Sequence, residues 1–580
     1  MSAHADERVA RWVPLLQWAP SYSRAALPGD LRGGLTVWAV VTPQAIAYAS
    51  LAGAPPEAGF YAALAAAVGY AFFGTSRHLS VGPSSTPAVV AASLVAAAGV
   101  LSGDVAVTLA ALALSAGVLL IIGGVLRLGF IADFLSRPVL VGFISGVAID
   151  VIVGQLPALL GVTKSTGDTF ERGYSTLTQL DDVLLVNGVV SVVAIASLVL
   201  LGWLLPKVPG ALVVVALSIV ASKVLDLADR GVAVLTDLPS TLPVPSLPLG
   251  GFDSLSLMAG GGAALALVCY AESIGTAETL ARKHGYEVRP DQELIGLGTA
   301  NVLCGVLQGF TTDASLSRSA VTDRAGVKTP AHGLVTALLL LVTIVALSPL
   351  FDGLPSPVVA AVIVTSIARL IDVRGFRRLY AIDRKRDFVL AMIALFGVLF
   401  FGALGGLSVA VIASLLVLVI RSYRPEVVEL GRAEPSGADE DLVYRSIERH
   451  PEYHLTPGVL VVRFAGQLFF ANARRLSQYV RQRCAEDPTL RAVVLDAAAI
   501  PTVDTSAADE LGELVVALRT VGVEVVLARS TGRLAGYLER MRPPGLDPPL
   551  TRYPTIAAAV AACSRPGSGG RPLDTAPRPE

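Results

Sequence analysis

The chain predicts a polytopic α-helical membrane protein of about fourteen spans, arranged as a 7+7 inverted repeat and followed by a small soluble α/β domain. Three observations carry this. Of 580 residues, 53% are hydrophobic and 16% charged, with a mean hydropathy of +0.65, against roughly 25% charged in an ordinary soluble protein. Asp, Glu, Lys and Arg make up 40 of the 160 residues from Arg421 onward but only 51 of the 420 before it. Apolar runs near the roughly 20 residues needed to cross hydrocarbon recur from residue 31 to 421. This composition argues against a cytosolic enzyme. A net charge of −1 and a pI near 6.6 offer no basic surface for nucleic acid. Cys269, Cys304, Cys484 and Cys563 show neither metal-ligand nor disulfide spacing, so no metal site and no cofactor are expected.

Taken in order, residues 1–30 include Asp6, Glu7, Arg8 and Arg11 without the apolar core of a cleaved signal peptide, and read as a cytoplasmic lead-in. The membrane body, 31–421, contains runs at 31–52, 57–74, 83–100, 104–126, 129–160, 183–205, 209–228, 257–276, 290–308, 314–325, 329–350, 354–371, 386–402 and 404–421. The third and tenth are short or interrupted. The fifth is long enough to kink, with Pro157 as the place. With the N-terminus inside, the cytoplasmic loops carry sixteen Lys and Arg and the outer loops only four, Lys164, Arg172, Lys223 and Arg230. This split fixes an even number of spans and puts both termini in the cytoplasm. A linker at 422–440 leads to the charged domain at 441–565, and 566–580, rich in Pro, Gly and Arg, reads as a disordered tail.

Two runs begin with broken helix at membrane depth, which is tolerated only where protein buries it or it lines a cavity. One is Gly82-Pro-Ser-Ser-Thr-Pro87, offering Ser84, Ser85 and Thr86; the other is Gly309-Phe-Thr-Thr-Asp-Ala-Ser-Leu-Ser-Arg-Ser319, offering Ser317 and Arg318. Each supplies hydroxyls and free N–H groups at a helix start, where the dipole favours anions. Taken singly, each is equally an ordinary capped helix start. Arg318 changes that, because a cation inside a span is costly and by default functional. Phe310, with Tyr270, offers an apolar wall for a small ligand, though membrane aromatics more often serve packing.

The same offset of seven spans relates a second pair of features. Gln44-Ala-Ile-Ala-Tyr48-Ala in the first span aligns without gaps on Glu272-Ser-Ile-Gly-Thr276-Ala in the eighth. Seven spans is an odd number, so the second repeat is inverted relative to the first. Gln44 and Tyr48 share one helix face, as do Glu272 and Thr276. Glu272 sits in an apolar stretch with no base until Arg282. It is therefore a candidate proton carrier, or with Thr276 a ligand for Na⁺, or a structural partner of Arg318.

In the tail, 459–464, 492–496 and 523–528 read as buried strands, and 472–483 and 506–521 as helices, the latter started by Asp504-Thr505-Ser506. Alternating strands and helices give a small α/β sandwich.

These residues resemble a known family. Leu31-Arg-Gly-Gly-Leu-Thr-Val, Pro43-Gln-Ala-Ile-Ala-Tyr-Ala, Leu51-Ala-Gly-Ala-Pro-Pro-Glu-Ala-Gly-Phe-Tyr61, Gly74-Thr-Ser-Arg-His-Leu-Ser-Val-Gly-Pro83 and Ser315-Leu-Ser-Arg-Ser319 are similar to motifs of the sulfate permease (SulP) family, relatives of the mammalian solute-carrier anion exchangers. Asp504-Thr-Ser-Ala-Ala-Asp-Glu-Leu511 is similar to the loop of a STAS domain. The resemblance implies a core domain of spans 1–4 and 8–11 and a gate domain of spans 5–7 and 12–14. It also implies elevator-type transport with the anion held between the N-termini of spans 3 and 10. It assigns Gln44, Tyr48, Ser84, Ser85, Thr86, Ser317 and Arg318 to the substrate and Glu272 to cation coupling. Some Na⁺-coupled relatives carry Asp where this chain has Glu272, which favours H⁺ over Na⁺. In STAS relatives a Ser in the matching loop is phosphorylated, making Ser506 or Thr505 a regulatory candidate against the plainer role of helix capping; Ala507 stands where Gly is usual.

The expected function is H⁺-coupled secondary transport of a small inorganic or carboxylate anion across a bacterial plasma membrane, by a homodimer with cytoplasmic partners of its tail. Sulfate leads by the family resemblance, with bicarbonate or a dicarboxylate behind it. The alternatives are an uncoupled anion channel or exchanger, and a membrane-anchored signalling scaffold.

Overall fold

The structure, a computed structural model, describes residues 12–99, 105–130, 137–163, 165, 167–205, 209–235, 240–252, 255–382, 386–433, 443–541 and 549–564. The 566–580 tail, part of the 422–440 linker, the first eleven residues of the lead-in and the loop cations Lys164, Lys207, Arg384 and Lys385 lie outside the described residues. The chain divides into two compact units, Met1–Ser414 and Leu415–Glu580.

In the first unit each predicted run holds a helix. They are α1 (Leu27–Ala52), α2 (Pro56–Phe73), α3 (Ser85–Ala97), α4 (Val105–Val125) and α5 (Arg137–Leu160). After α6 (Thr169–Thr178) come α7 (Leu185–Leu204), α8 (Gly210–Val224), α9 (Leu255–His284), α10 (Pro290–Val306) and α11 (Leu316–Ala325). α12 (Ala331–Val342, continued to Phe351), α13 (Ser356–Ile367), α14 (Val373–Ile382) and α15 (Asp387–Tyr423) follow. α15 carries the last two runs, bent apart at Gly402, whose φ of 71° no L side chain adopts easily. Among the described residues, 7 helices are long and apolar enough to cross a membrane by length and composition.

The fifth span is described as a helix of 24 residues from Arg137, with Pro157 in its last turn, and 131–136 of the expected run lie outside the described residues. The structure alters two expectations. The eighth span runs on to His284, because Glu278, Arg282 and Lys283 continue a helix that hydropathy alone ends at 276. α6 and α14 are surface helices with polar faces, too short and too charged for a search by span length to find.

α1, α2, α4, α9, α10 and α12 pack into one group, and α5, α7, α8 and α13 into another. Lipid gives little hydrophobic drive between helices, so close approach depends on small residues. A Cβ on Gly59 of α2 would lie 2.0 Å from the Ala45 carbonyl of α1. Gly117 of α4 and Gly298 of α10 face each other, each too close to the other helix's backbone for a side chain.

The extended residues before α3 and α11 form a two-stranded ladder: β1 (Val81–Gly82) pairs antiparallel with β2 (Asp313–Ala314), Val81 opposite Ala314 and Gly82 opposite Asp313. An antiparallel pair is locally two-fold, the symmetry that an inverted repeat requires.

The second unit is one six-stranded sheet with helices on both faces. β3 (Glu426–Arg432), β4 (Tyr444–Ser446), β5 (Val459–Ala465), β6 (Ala492–Asp496), β7 (Glu524–Ala528) and β8 (Arg552–Tyr553) lie in the order β4-β3-β5-β6-β7-β8. β5 to β8 run parallel and β3 opposes both its neighbours. Alternation along β5 sends Leu460, Val462 and Phe464 to a core covered by α16 (Ala473–Glu486), α17 (Thr505–Thr520) and α18 (Gly532–Met541). Val459 and Val461 go to the opposite core, under α19 (Ile556–Cys563). The three expected strands and two expected helices are present. The strands β3, β4 and β8 and the last two helices went unpredicted.

Candidate functional site

The β1–β2 ladder brings the N-termini of α3 and α11 together, and the surrounding polar groups hold it there. Asn301 of α10 accepts from the Thr312 amide at 2.8 Å and donates to the Thr312 carbonyl at 2.9 Å. Ser273 of α9 accepts from the Ala314 amide at 3.0 Å, and Ser319 of α11 from the Ser80 amide at 3.0 Å. Each break is thus satisfied by protein, the condition for irregular backbone at this depth.

Arg318 leads the completely buried side chains in size, at 1% exposed. Its guanidinium donates to the carbonyls of Pro83 at 2.5 Å, Gly82 at 3.1 Å and Asp313 at 3.5 Å, and to Gln44 Oε1 at 3.3 Å. A planar fork with five donors can tie two broken segments to a third helix, which a lysine cannot do. Arg318 is thereby a brace as well as a charge. No carboxylate accepts from it in the described structure, so the expected alternative of a Glu272–Arg318 ion pair is not the arrangement seen.

Gln44 is buried and held by Arg318; Tyr48, one turn on, is buried facing Arg318 and Asp313 and reaches Ser366 of α13. Ser84 is the residue at which α3 begins, with extended backbone, and its buried hydroxyl has no partner. Ser85 and Thr86 fill the first turn of α3 and are buried as well. Glu272, half-buried, faces Thr86 and Asp313. These residues the structure brings together.

Three candidates stand differently. Ser317 is exposed and its hydroxyl pairs with that of Ser315 at 2.9 Å. The Thr276 hydroxyl donates at 3.0 Å to the Glu272 backbone carbonyl, four residues back in its own helix, and not to the carboxylate. Phe310 is fully buried on the segment leading to β2. Sequence reasoning missed Asp313, fully buried in β2 beside Glu272, Ser84 and Arg318. The signal was available, since the rule that selects Glu272, an acid at membrane depth, selects Asp313 too.

In the tail, Thr505 and Ser506 are exposed in the first turn of α17. The cap comes from Asp504, whose side chain accepts from the Ala507 amide at 2.8 Å and from the Phe470 amide at 3.0 Å, leaving the two hydroxyls outside that role. On β6, Asp496 is fully buried between Arg463 and Arg529, each 2.6 Å away. Burial pushes its carboxyl up, but the hydrogen bonds and charges of Arg529 and Arg463 override this and leave it below the ordinary value.

Comparison with known proteins bears on both units. The sequence profile of the sulfate permease family matches residues 27–394, and that of the STAS domain residues 450–559. A "probable sulfate transporter" of Mycobacterium tuberculosis is 33% identical over 524 residues, covering 90% of this chain and 92% of that protein. "Probable sulfate transporter 3.3" of Arabidopsis thaliana is 32% identical over 601 residues, covering 97% and 92%. Among solved structures, SLC26A9 superposes with a TM-score of 0.87 at 21% identity over 97% of this chain and 94% of its own. The transmembrane domain of the cyanobacterial bicarbonate transporter BicA gives 0.59 at 23% identity, over 68% and 98%. At these identities the structural likeness is one of fold.

Proposed function

The chain belongs to the sulfate permease family, and from that premise we propose that it is a secondary active transporter of a small anion, sulfate in the first place, moving it with H⁺ across the plasma membrane. The observation that supports this most is the β1–β2 pairing, which points two helix N-termini at one place with Arg318 between them. Helix starts favour negative charge through their free N–H groups and dipoles. Ser84, Ser85 and Thr86 add hydroxyls of the kind that replace an oxyanion's hydration shell. Arg318 contributes field more than coordination, because backbone carbonyls and Gln44 already occupy both its Nη groups and only Nε–H is left unpaired. Glu272, against this site and remote from cytoplasmic bases, carries the coupling proton. In the elevator-type cycle that the family resemblance implies, the first helix group carries the site past the second.

The test is uptake into proteoliposomes of labelled sulfate, bicarbonate and dicarboxylates at imposed pH and Na⁺ gradients. Sulfate accumulation driven by an inward proton gradient is expected. Exchange of anions without response to either gradient would point instead to an uncoupled exchanger.

A further inference from the structure

Among the described residues five acidic side chains are buried: Asp30, Asp150, Glu293, Asp313 and Asp496. Four are fully provided for. Asp30 accepts from the Lys328 amide at 2.9 Å and the Thr329 hydroxyl at 2.6 Å. Asp150 is held by Thr169 and Arg172. Glu293 accepts from the Tyr70 hydroxyl at 2.7 Å and the Thr75 amide at 2.8 Å, and Asp496 lies between two guanidinia. Asp313 is the exception: no hydrogen bond reaches either of its carboxylate oxygens. A buried carboxylate without a partner is costly, and a native protein keeps one for a reason.

Its surroundings narrow the reason. The Glu272 carboxylate of α9 lies against it, and Glu272 Oε1 is also buried without a partner. The Ser84 hydroxyl at the start of α3, more than nine-tenths buried and likewise unpartnered, lies on its other side. Tyr48 of α1, Cys269 of α9 and Arg318 of α11 also face it, and Thr86 of α3 faces Glu272. Both Nη groups of Arg318 are spent on carbonyls and Gln44, so the two carboxylates meet with only the Ser84 hydroxyl and the unpaired Arg318 Nε–H as donors beside them, and no cation is hydrogen-bonded to either. Two ionised carboxylates against one guanidinium leave the place one negative charge in excess, beside helix starts proposed to bind an anion. Like charges this close repel, and an incoming anion worsens the imbalance. Positive charge has to enter with it.

We propose that Asp313 and Glu272 together form the coupling-cation site, holding one positive charge between their carboxylates, with Asp313 as necessary to coupling as Glu272. The proposal rests on the anion-transport reading above and adds to it a second carboxylate and a fixed order of need: the site cannot fill with anion unless the pair fills with cation. A proton shared as O–H···O⁻ and a Na⁺ ligated by carboxylate and hydroxyl oxygens answer the same need, and the measurement separates them.

The experiment uses the full chain in proteoliposomes, with labelled sulfate, comparing wild type, Asp313→Asn, Asp313→Glu and Glu272→Gln. One arm imposes a proton gradient without Na⁺, and a second imposes a Na⁺ gradient at equal pH. A third measures sulfate–sulfate exchange with no gradient. In wild type, the arm that drives accumulation identifies the cation. In Asp313→Asn, the ratio of accumulation to exchange is expected to fall about tenfold or more, as far as in Glu272→Gln, while Asp313→Glu recovers part of it. An unchanged ratio in Asp313→Asn overturns the proposal. So does loss of exchange together with accumulation in both Asp313 variants, which would make Asp313 a structural residue, and so does a wild type that exchanges but answers neither gradient. A wild type that moves no anion of the panel sinks the transport reading itself.

Discussion

Arg318 is where the structure makes its most exact demand. Replacing it by alanine removes a positive charge from beside the two helix starts and strands the carbonyls of Gly82, Pro83 and Asp313. For each unit of anionic charge on the order of 5 Å away at an effective dielectric of about 20, the lost attraction is about 3 kcal/mol, or roughly a hundredfold or more in affinity. The stranded carbonyls cost about 1–3 kcal/mol each where water cannot reach them. Arg318→Lys separates the two effects. Lysine keeps the charge, but its compact ammonium cannot serve Pro83 and Gln44, bound by one Nη, and Gly82 and Asp313, bound by the other, together. Sulfate binding by calorimetry in nanodiscs should therefore fall at least a hundredfold in Arg318→Ala and less than about tenfold in Arg318→Lys. The unfolding midpoint, followed through Trp12, Trp18, Trp38 and Trp203 of the same unit, should fall in both. A folded Arg318→Ala protein that binds sulfate as wild type does would refute the electrostatic argument. Equal loss of binding in both variants would show that geometry, not charge, is what Arg318 supplies.

Glu272→Gln should abolish proton-driven accumulation; an unchanged pH dependence of uptake would remove Glu272 from the coupling. In the tail, the carboxyl of Asp496 sits below its ordinary value when folded, so its stabilisation is complete above about pH 4 and is lost as pH falls through the folded value. Asp496→Asn should cost on the order of 2 kcal/mol at pH 7, less than for a fully buried pair because side-chain exposure of Arg463 and Arg529 is 32% and 39%. Hydrogen exchange of β5–β7 peptides from pH 7 to 3 in the full chain reads this out, the wild type losing protection in acid and the variant changing little. Gly59→Ala places a methyl 2.0 Å from the Ala45 carbonyl and should lower the unfolding midpoint through about 1–3 kcal/mol of overpacking. Gly188→Ala, which meets nothing within 4 Å, should leave it unchanged.

Apolar runs, the two breaks and the strand alternation of the tail were legible because each leaves a periodic or compositional trace within a few residues of chain. What escaped was set by pairing between distant segments. Asp313 carries the same trace as Glu272, an acid at membrane depth, but stands in a polar stretch, Thr311-Thr312-Asp313, that reads as loop; the ladder with Gly82, more than two hundred residues away, is what buries it. Arg318 and Ser317 are neighbours in sequence, yet about 100° of helix rotation buries one and exposes the other. The Thr276 hydroxyl donates to the carbonyl four residues back, always within reach of a threonine in a helix, and its oxygen lone pairs are not used by that bond. The amphipathic helices α6 and α14 were overlooked because hydropathy averaged over a span cancels their two faces.

The proposed elevator motion needs a rigid carrier and a surface on which it can slide, and the two kinds of contact are distributed accordingly. Directional bonds knit the first helix group together. Asp30 of α1 holds the start of α12, the Thr336 hydroxyl of α12 donates to Gly34 of α1 at 3.1 Å, and Trp38 of α1 donates to the Thr343 hydroxyl at 2.8 Å. Glu293 of α10 gathers the residues after α2, and Asn301 clasps the approach to β2. Separating these helices would break many hydrogen bonds at once. Against the second group, α1 meets α13 and α8, and the buried residues of α13 are Pro357 to Ile363 and Ile367, all apolar. Apolar contact is non-directional, so displacement along it costs only the area exposed. Tyr48 reaching Ser366 does cross between the groups, but one neutral hydrogen bond is worth about 1 kcal/mol, little enough to break and remake in each cycle. Both helix starts, Arg318, Glu272 and Asp313 belong to the knitted side, so anion and coupling charge would travel as one load, and neither could cross while the other was left behind.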